Sequence, residues 1–305
     1  MDRLEAMDML VQSVELGSFS AVSRRLSVPV STVSRRISDL EAKIGTKLLL
    51  RTTRRLALTD AGECYVEASK RILEQVEEAE REAAGEFSVP KGELAITAPL
   101  MFGRLHLLPI VSEFLALYPE IDIRLLLSDR NVHLVEDHVD LAIRIGNLPD
   151  SELVASRIGA MRTVVCASKD VIARHGAPKE PCDLEKLPCI TFDAPFASQG
   201  WQFCNHKEGT MVDVPVMPRL TVTSADAALE AARVGIGFAR LLHYQAADCV
   251  SIGKLQLVLE DYEPEPAPVH ILHFAQGQMP LKLRRFLDFA TPRLRKRMGK
   301  LKPVR

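Results

Sequence analysis

Between Val22 and Leu58 lie nine basic residues, Arg24, Arg25, Arg35, Arg36, Lys43, Lys47, Arg51, Arg54 and Arg55, opposed only by Asp39 and Glu41. The whole chain of 305 residues carries a net charge of −1 at pH 7, so this local excess is a concentrated asymmetry rather than a bulk property. Charge of one sign gathered into so short a stretch points to a polyanionic partner.

The apolar spacing shows how that charge is displayed. Leu4 to Gly17 reads as an amphipathic helix with Leu4, Met7, Leu10, Val11 and Val14 on one face. Gly17 ends it, and Ser18 or Ser20 caps a short second helix through Leu26, with Ala21 and Leu26 turned inward. Ser27-Val28-Pro29 makes the turn into a third helix from about Val30 to Ile44. Its Val33, Ile37, Leu40 and Ile44 recur at three- and four-residue spacing and are expected to pack on the core. The opposite face carries Ser31, Thr32, Ser34, Arg35 and Ser38, joined in the candidate DNA-binding set by Ser20, Val30 and Arg36. Short hydroxyl side chains allow close approach to a major groove, and arginine can bridge guanine acceptors. A solvated polar helix is the plainer alternative, but such helices are usually richer in Glu and Lys. The run from Lys47 to Thr59 then places two short apolar stretches around a basic turn. It reads as a hairpin wing whose Arg51, Arg54 and Arg55 contact phosphates or the minor groove.

Composition removes several classes of function. With 47% hydrophobic and 26% charged residues, the chain is neither disordered nor fibrous. No apolar stretch is expected to approach the roughly 18 residues of a membrane span, and the start lacks the order of a signal peptide, so a cytoplasmic protein without a membrane partner is expected. The cysteines Cys64, Cys166, Cys182, Cys189, Cys204 and Cys249 are scattered without a C-x-x-C pair, and His106, His133 and His138 form no ligand pattern. Neither a metal nor another cofactor is expected. A redox pair, Cys182 with Cys189 or Cys166 with Cys204, is a narrower possibility beside ordinary structural thiols. Phosphate loops, nucleophile elbows and zinc-protease motifs are missing, which argues against an enzyme.

The first sixty residues resemble the N-terminus of the LysR-type transcriptional regulators. The resemblance rests on Gly17-Ser18-Phe19-Ser20, Val33-Ser34-Arg35-Arg36-Ile37, Leu40-Glu41, Gly45-Thr46-Lys47-Leu48-Leu49, Arg51-Thr52-Thr53-Arg54 and Leu58-Thr59-Asp60-Ala61-Gly62. It implies a winged helix-turn-helix in residues 1–59 that binds double-stranded DNA. Much of that family begins its recognition helix with Gln-Pro, where this chain has Val30-Ser31. Val30 lacks a bidentate contact but can touch a thymine methyl, so operator preference does not carry over.

Thr59 is expected to cap a long helix from about Asp60 to Glu86, assigned as a connecting segment over 60–87. Tyr65, Ala68, Ile72, Val76, Ala79 and Ala83 form a seam resembling a coiled coil. Packing on its own domain is the alternative to an intermolecular partner; the resemblance implies a homo-oligomer, dimer or tetramer, reading an interrupted inverted repeat. Residues 88–92 break the helix as a hinge.

From Glu93 strands and helices alternate, which argues for a parallel α/β effector-binding domain over 93–305. Strands are expected at Leu94–Thr97, Ile121–Leu127, Leu141–Ile145 and Val269–His273. Helices are expected at Arg104–Tyr118, Asn131–Glu136, Ala225–Arg233 and Pro280–Arg293. Two lobes, about 93–163 with 267–305 and about 164–266, would enclose a cleft like that of periplasmic binding proteins. The resemblance extends here through Ala98 to Arg104, Ser128-Asp129-Arg130, Asp140 to Gly146 and Leu148 to Ser151. Small molecules bind where strand ends meet helix N-termini. Pro99, Leu100 and Met101 would begin a helix whose free amides hold a carboxylate, with Thr223 and Ser224 opening a second helix across the cleft. Arg144 adds charge unless it pairs with Asp140 or Asp150. Gly146, Phe192, Phe196 and Phe238 form walls unless the phenylalanines are core. The expected effector is a metabolite carboxylate or an aromatic acid. The basic end from Arg293 to Arg305 could brush DNA, but reads more simply as a solvated, frayed terminus.

Overall fold

The computed structural model describes residues 2–51, 56–83, 89–129, 134, 137–148, 153–192, 200–206, 208–274 and 279–300. The chain divides into two compact units, Met1–Val89 and Pro90–Arg305.

In the first unit, α1 (Arg3–Glu15) begins where the Asp2 carboxylate accepts from the Leu4 amide. Ser18 caps α2 (Phe19–Leu26) by accepting from the Ser20 amide, and α3 spans Val30–Ile44. The turn between α2 and α3 is held by Ser23 Oγ donating to the Val28 carbonyl at 2.6 Å. Ala6, Met9, Leu10, Val22, Val33, Ile37 and Leu40 make the core. Two expectations need correction. The fully buried residue of α2 is Val22, beside a half-buried Ala21, and Leu4 and Ile44 are exposed because each lies at a helix end beyond the core.

The hairpin follows as β1 (Leu49–Arg51) paired antiparallel with β2 (Leu56–Leu58). Thr59 caps α4 (Asp60–Ala83), its Oγ1 accepting from the Gly62 amide at 2.9 Å and donating to the Lys47 carbonyl at 2.8 Å. Here α4 passes so near the hairpin that a Cβ on Gly62 would lie 2.0 Å from the Leu48 carbonyl oxygen. Gly62→Ala is therefore expected to push α4 off the hairpin and lower stability by about 1–3 kcal/mol, measured as a shift of the urea midpoint. A midpoint unchanged from wild type would show that the contact relaxes freely. Part of the helical seam also turns out differently. Val66 is buried, and Tyr65 and Leu73 pack on the unit's own core, so Tyr65 is not free for a partner helix. Ile72 and Ala79 are exposed and Val76 is half-buried.

The second unit opens with β3 (Gly92–Ala98), followed by a continuous helical run from α5 (Leu100–Phe102) through a π turn (Gly103–Leu107) into α6 (Leu108–Leu117). Gly103 lets this turn lie against β4 (Ile121–Leu127), since a Cβ there would be 2.0 Å from Leu127 Cδ2. By length and composition Leu100–Leu117 can cross a membrane, at a mean hydropathy of 1.5, which corrects the expectation that no such stretch exists. Its Met101, Phe102, Leu107, Ile110 and Phe114 are instead buried in the unit's core.

The strands β5 (Leu141–Ile145), β6 (Leu153–Met161), β7 (Thr163–Ala167) and helix α7 (Lys169–His175) come next. After them come β8 (Cys189–Phe192), β9 (Gly200–Asn205), β10 (Thr210–Pro215), β11 (Pro218–Val222) and α8 (Ala225–Arg233). The chain closes with β12 (Phe238–Leu242), α9 (His243–Ser251), β13 (Gln256–Val258), β14 (Ala267–Phe274) and α10 (Leu281–Lys300). Ten of the unit's described strands form two five-stranded sheets, ordered β4-β3-β5-β14-β6 and β11-β8-β12-β7-β13, while β9 and β10 pair antiparallel in a small sheet of their own. Neither is wholly parallel, contrary to expectation: β14 runs antiparallel to β5 and β6, and β7 antiparallel to β12 and β13. The chain crosses between the sheets twice, and the strands beside the crossings must reverse direction. The basic end is corrected as well. Through Lys300 it is helix, anchored by buried Phe286, Ala290, Leu294 and Met298. Arg293 lies over the Phe289 ring at 3.5 Å and pairs with Glu113 at 3.3 Å.

Candidate DNA-binding surface and effector cleft

On α3 the residues expected to read DNA fall into two groups. Ser31, Arg35 and Val30 are exposed, as is Ser20 on α2, while Thr32, Ser34 and Ser38 are half-buried, with Ser38 Oγ donating to the Ser34 carbonyl. Arg36 belongs with the fold: its Nη2 pairs with Glu5 Oε2 of α1 at 3.1 Å, and its buried Nε has no hydrogen-bond partner among the described residues. Arg51 closes β1, but its side chain, Arg54 and Arg55 lie outside the described residues.

Sequence reasoning missed what holds the hairpin against α3. Glu41, on α3 and only 2% exposed, accepts from Lys47 Nζ at 2.7 Å and from the Leu48 and Leu49 amides at 2.9 and 3.1 Å. Burial alone would raise its pKa, but Lys47 and the two amides outweigh that and hold the carboxyl below its ordinary value. One carboxylate thus fixes the angle between the exposed face of α3 and the wing. An acid followed six residues later by a lysine and an apolar pair was the available signal.

In the second unit the two lobes meet where α5 and α8 begin. Ser224 caps α8 by accepting from the Ala227 amide. Of the helix-start amides available to a ligand carboxylate, those of Leu100 and Ala225 are already taken. Asp129, just past β4, accepts from the Leu100 amide with Oδ1 at 3.0 Å and from the Ala225 amide with Oδ2 at 3.3 Å. Arg104, exposed on the π turn, pairs with Asp226 at 3.0 Å. Behind these links Phe102 and His106 of one lobe meet Tyr244 of the other, ring centroids 5.9 and 5.3 Å apart. Burial, reinforced by Arg297 and opposed by Asp248, takes the His106 pKa down to about 4. At the crossings Arg162 grips Glu263 through two contacts of 2.6 Å, stapling the strand that leaves one lobe to the segment that returns.

The remaining cleft candidates separate cleanly. Pro99 and Phe192 are half-buried, Thr223 is exposed, and a Cβ on Gly146 would meet nothing within 4 Å. Arg144 is half-buried on β5, its pKa lowered by burial. The Met101 side chain is buried, and Phe238 is core rather than wall, fully buried among Val165, Leu184, Trp201 and Phe203. Phe196 and the expected helix Asn131–Glu136 lie outside the described residues, apart from Leu134. Of the thiols considered for redox pairing, burial raises both Cys166 and Cys189 to about 12, which leaves them protonated and unreactive at neutral pH. Among the described residues no group of His, Cys, Asp and Glu can hold a metal ion.

Residues 4–63 match the bacterial regulatory helix-turn-helix protein, lysR family, and residues 88–295 match the LysR substrate binding domain. The chain belongs to the LysR family. It is 32% identical over 286 residues to the probable HTH-type transcriptional regulator LtrA of Klebsiella pneumoniae, covering 93% of this chain and 92% of that one. An HTH-type transcriptional regulator of Xanthomonas campestris is 35% identical over 287 residues, covering 93% of this chain and 83% of the relative. Among solved structures, CrgA, a LysR-type transcriptional regulator from Neisseria meningitidis, is 31% identical with a TM-score of 0.61, covering 97% of this chain and 98% of that one. This LysR-family chain is accordingly a DNA-binding transcriptional regulator with an effector-binding domain, and its relatives are named as regulators rather than enzymes. The helix-turn-helix match ends just beyond Gly62, the glycine that lets α4 close on the hairpin.

Proposed function

We propose that this LysR-family regulator binds an interrupted inverted repeat in double-stranded DNA as a homo-oligomer, in the cytoplasm, under control of a small-molecule carboxylate. The head is residues 1–59, the connecting helix 60–87, the hinge 88–92 and the effector domain 93–305. The exposed Ser31 and Arg35 on α3, with no ion pair for Arg35 among the described residues, are the observation that carries this reading. Exposed Ile72 and Ala79 supply an apolar strip on α4 for a second copy. An effector carboxylate would enter the cleft by exchanging with Asp129 at the Leu100 and Ala225 amides, with Arg144 adding positive charge.

Selection of genomic fragments by the purified protein, followed by binding over a salt series, tests the DNA half. Recovery of one inverted repeat, with affinity falling steeply as salt rises, is the expected result. Recovery of no common sequence would reject it. On the selected site, Arg35→Ala is expected to cost about 1–3 kcal/mol and to relax discrimination at one base pair. A uniform loss on all sequences would assign Arg35 to phosphate instead.

A further inference from the structure

The position between the two lobes where a small anion would be bound already holds one, supplied by the chain itself. The first amides of a helix have no intrahelical acceptor, so Leu100 and Ala225 each begin a helix with an N–H that needs a partner from elsewhere. Each finds it on a different oxygen of the same Asp129 carboxylate, Oδ1 at 3.0 Å and Oδ2 at 3.3 Å. Leu100 belongs to the lobe of β3 and Ala225 to that of β8 and β12, so the contact spans the cleft. The partial positive charge of a helix N-terminus favours a carboxylate there. Nearby, Arg104 and Asp226 cross the same gap at 3.0 Å.

We infer that Asp129 is an endogenous occupant of the effector position, a built-in carboxylate that holds the lobes together until an effector carboxylate takes its place. This rests on the reading of the cleft as the effector site. Any carboxylate effector then binds in competition with Asp129, which sets a threshold below which the protein does not respond.

The test uses the full chain and the exchange of the Leu100 and Ala225 amide protons, whose protection has no intrahelical source. In the wild-type protein both are expected to be protected, and added formate is expected to change neither. Asp129→Ala should lose protection at both amides, by about ten-fold or more. Formate at tens of millimolar should restore it, while chloride at equal ionic strength should not. Should the alanine variant fail to fold, Asp129→Asn keeps the shape with a single acceptor oxygen and should lose protection at one of the two amides. Unchanged exchange in the variants, formate protection of the wild type, or no rescue by formate would each overturn the inference. If the exchange results hold but no carboxylate alters binding to the selected DNA, the internal contact stands and the proposed effector class falls.

Discussion

Glu41→Ala is expected to lower the stability of the winged helix-turn-helix by about 2–5 kcal/mol, because it strands the buried Leu48 and Leu49 amides at a cost of about 1–3 kcal/mol each. DNA affinity should fall with it, since the wing is then no longer fixed to α3. Glu41→Gln keeps an acceptor for the amides but loses the charge opposite Lys47, and is expected to cost about 1–2 kcal/mol. Amide exchange at Leu48 and Leu49 in the full chain, beside urea unfolding, distinguishes the three proteins. Undiminished protection in Glu41→Ala would show that the amides find other acceptors. The pH dependence has a definite sign. Because the folded carboxyl titrates below its ordinary value of 4.5, its contribution is complete above that value and is lost as pH falls through the lower folded one.

Acid acts in a different window on the effector domain. The pKa of His106 falls from 6.5 to about 4 on folding, so the unfolded chain binds the proton more readily between those values. The domain is expected to keep full stability above pH 6.5 and to lose on the order of 2–3 kcal/mol by pH 4. Arg297 deepens the effect and Asp248 opposes it, while the ring itself packs at a steep angle against Phe102 and Tyr244. His106→Phe should flatten this dependence while retaining the contact between lobes. It should be at least as stable as wild type at pH 7.5, because His106 Nε2 is buried there with no hydrogen-bond partner among the described residues. Urea midpoints of both proteins at pH 7.5 and 5 decide the matter; parallel slopes would place the acid sensitivity elsewhere.

Much of the head was legible because its signals are local. The bounds of α3 follow from Pro29 before it, Gly45 after it and the spacing of Val33, Ile37 and Leu40. The Ser18 and Thr59 caps are likewise written in a few adjacent residues. Long-range partners were not legible. Nothing adjacent to Arg36 reveals Glu5 across the helix pair, and nothing near Asp129 reveals an amide 96 residues further along the chain. The closing helix is an instructive miss. Its start was expected, but Leu294 and Met298 carry the four-residue spacing of Phe286 and Ala290 past Arg293, where the surrounding arginines masked the stripe and the end reads as frayed.

The position of β14 bears on how the protein is made. It lies inside its sheet, between β5 and β6, although it is the last strand to be synthesised. The other sheet is assembled from β7 to β13, all of which precede it. On the ribosome, therefore, the inserted lobe has every strand it needs first, while the lobe whose synthesis began earlier waits with a gap between two strands. Chains stalled before Ala267 should carry one finished lobe and one with two unpaired strand edges, the form of this protein most exposed to misassembly.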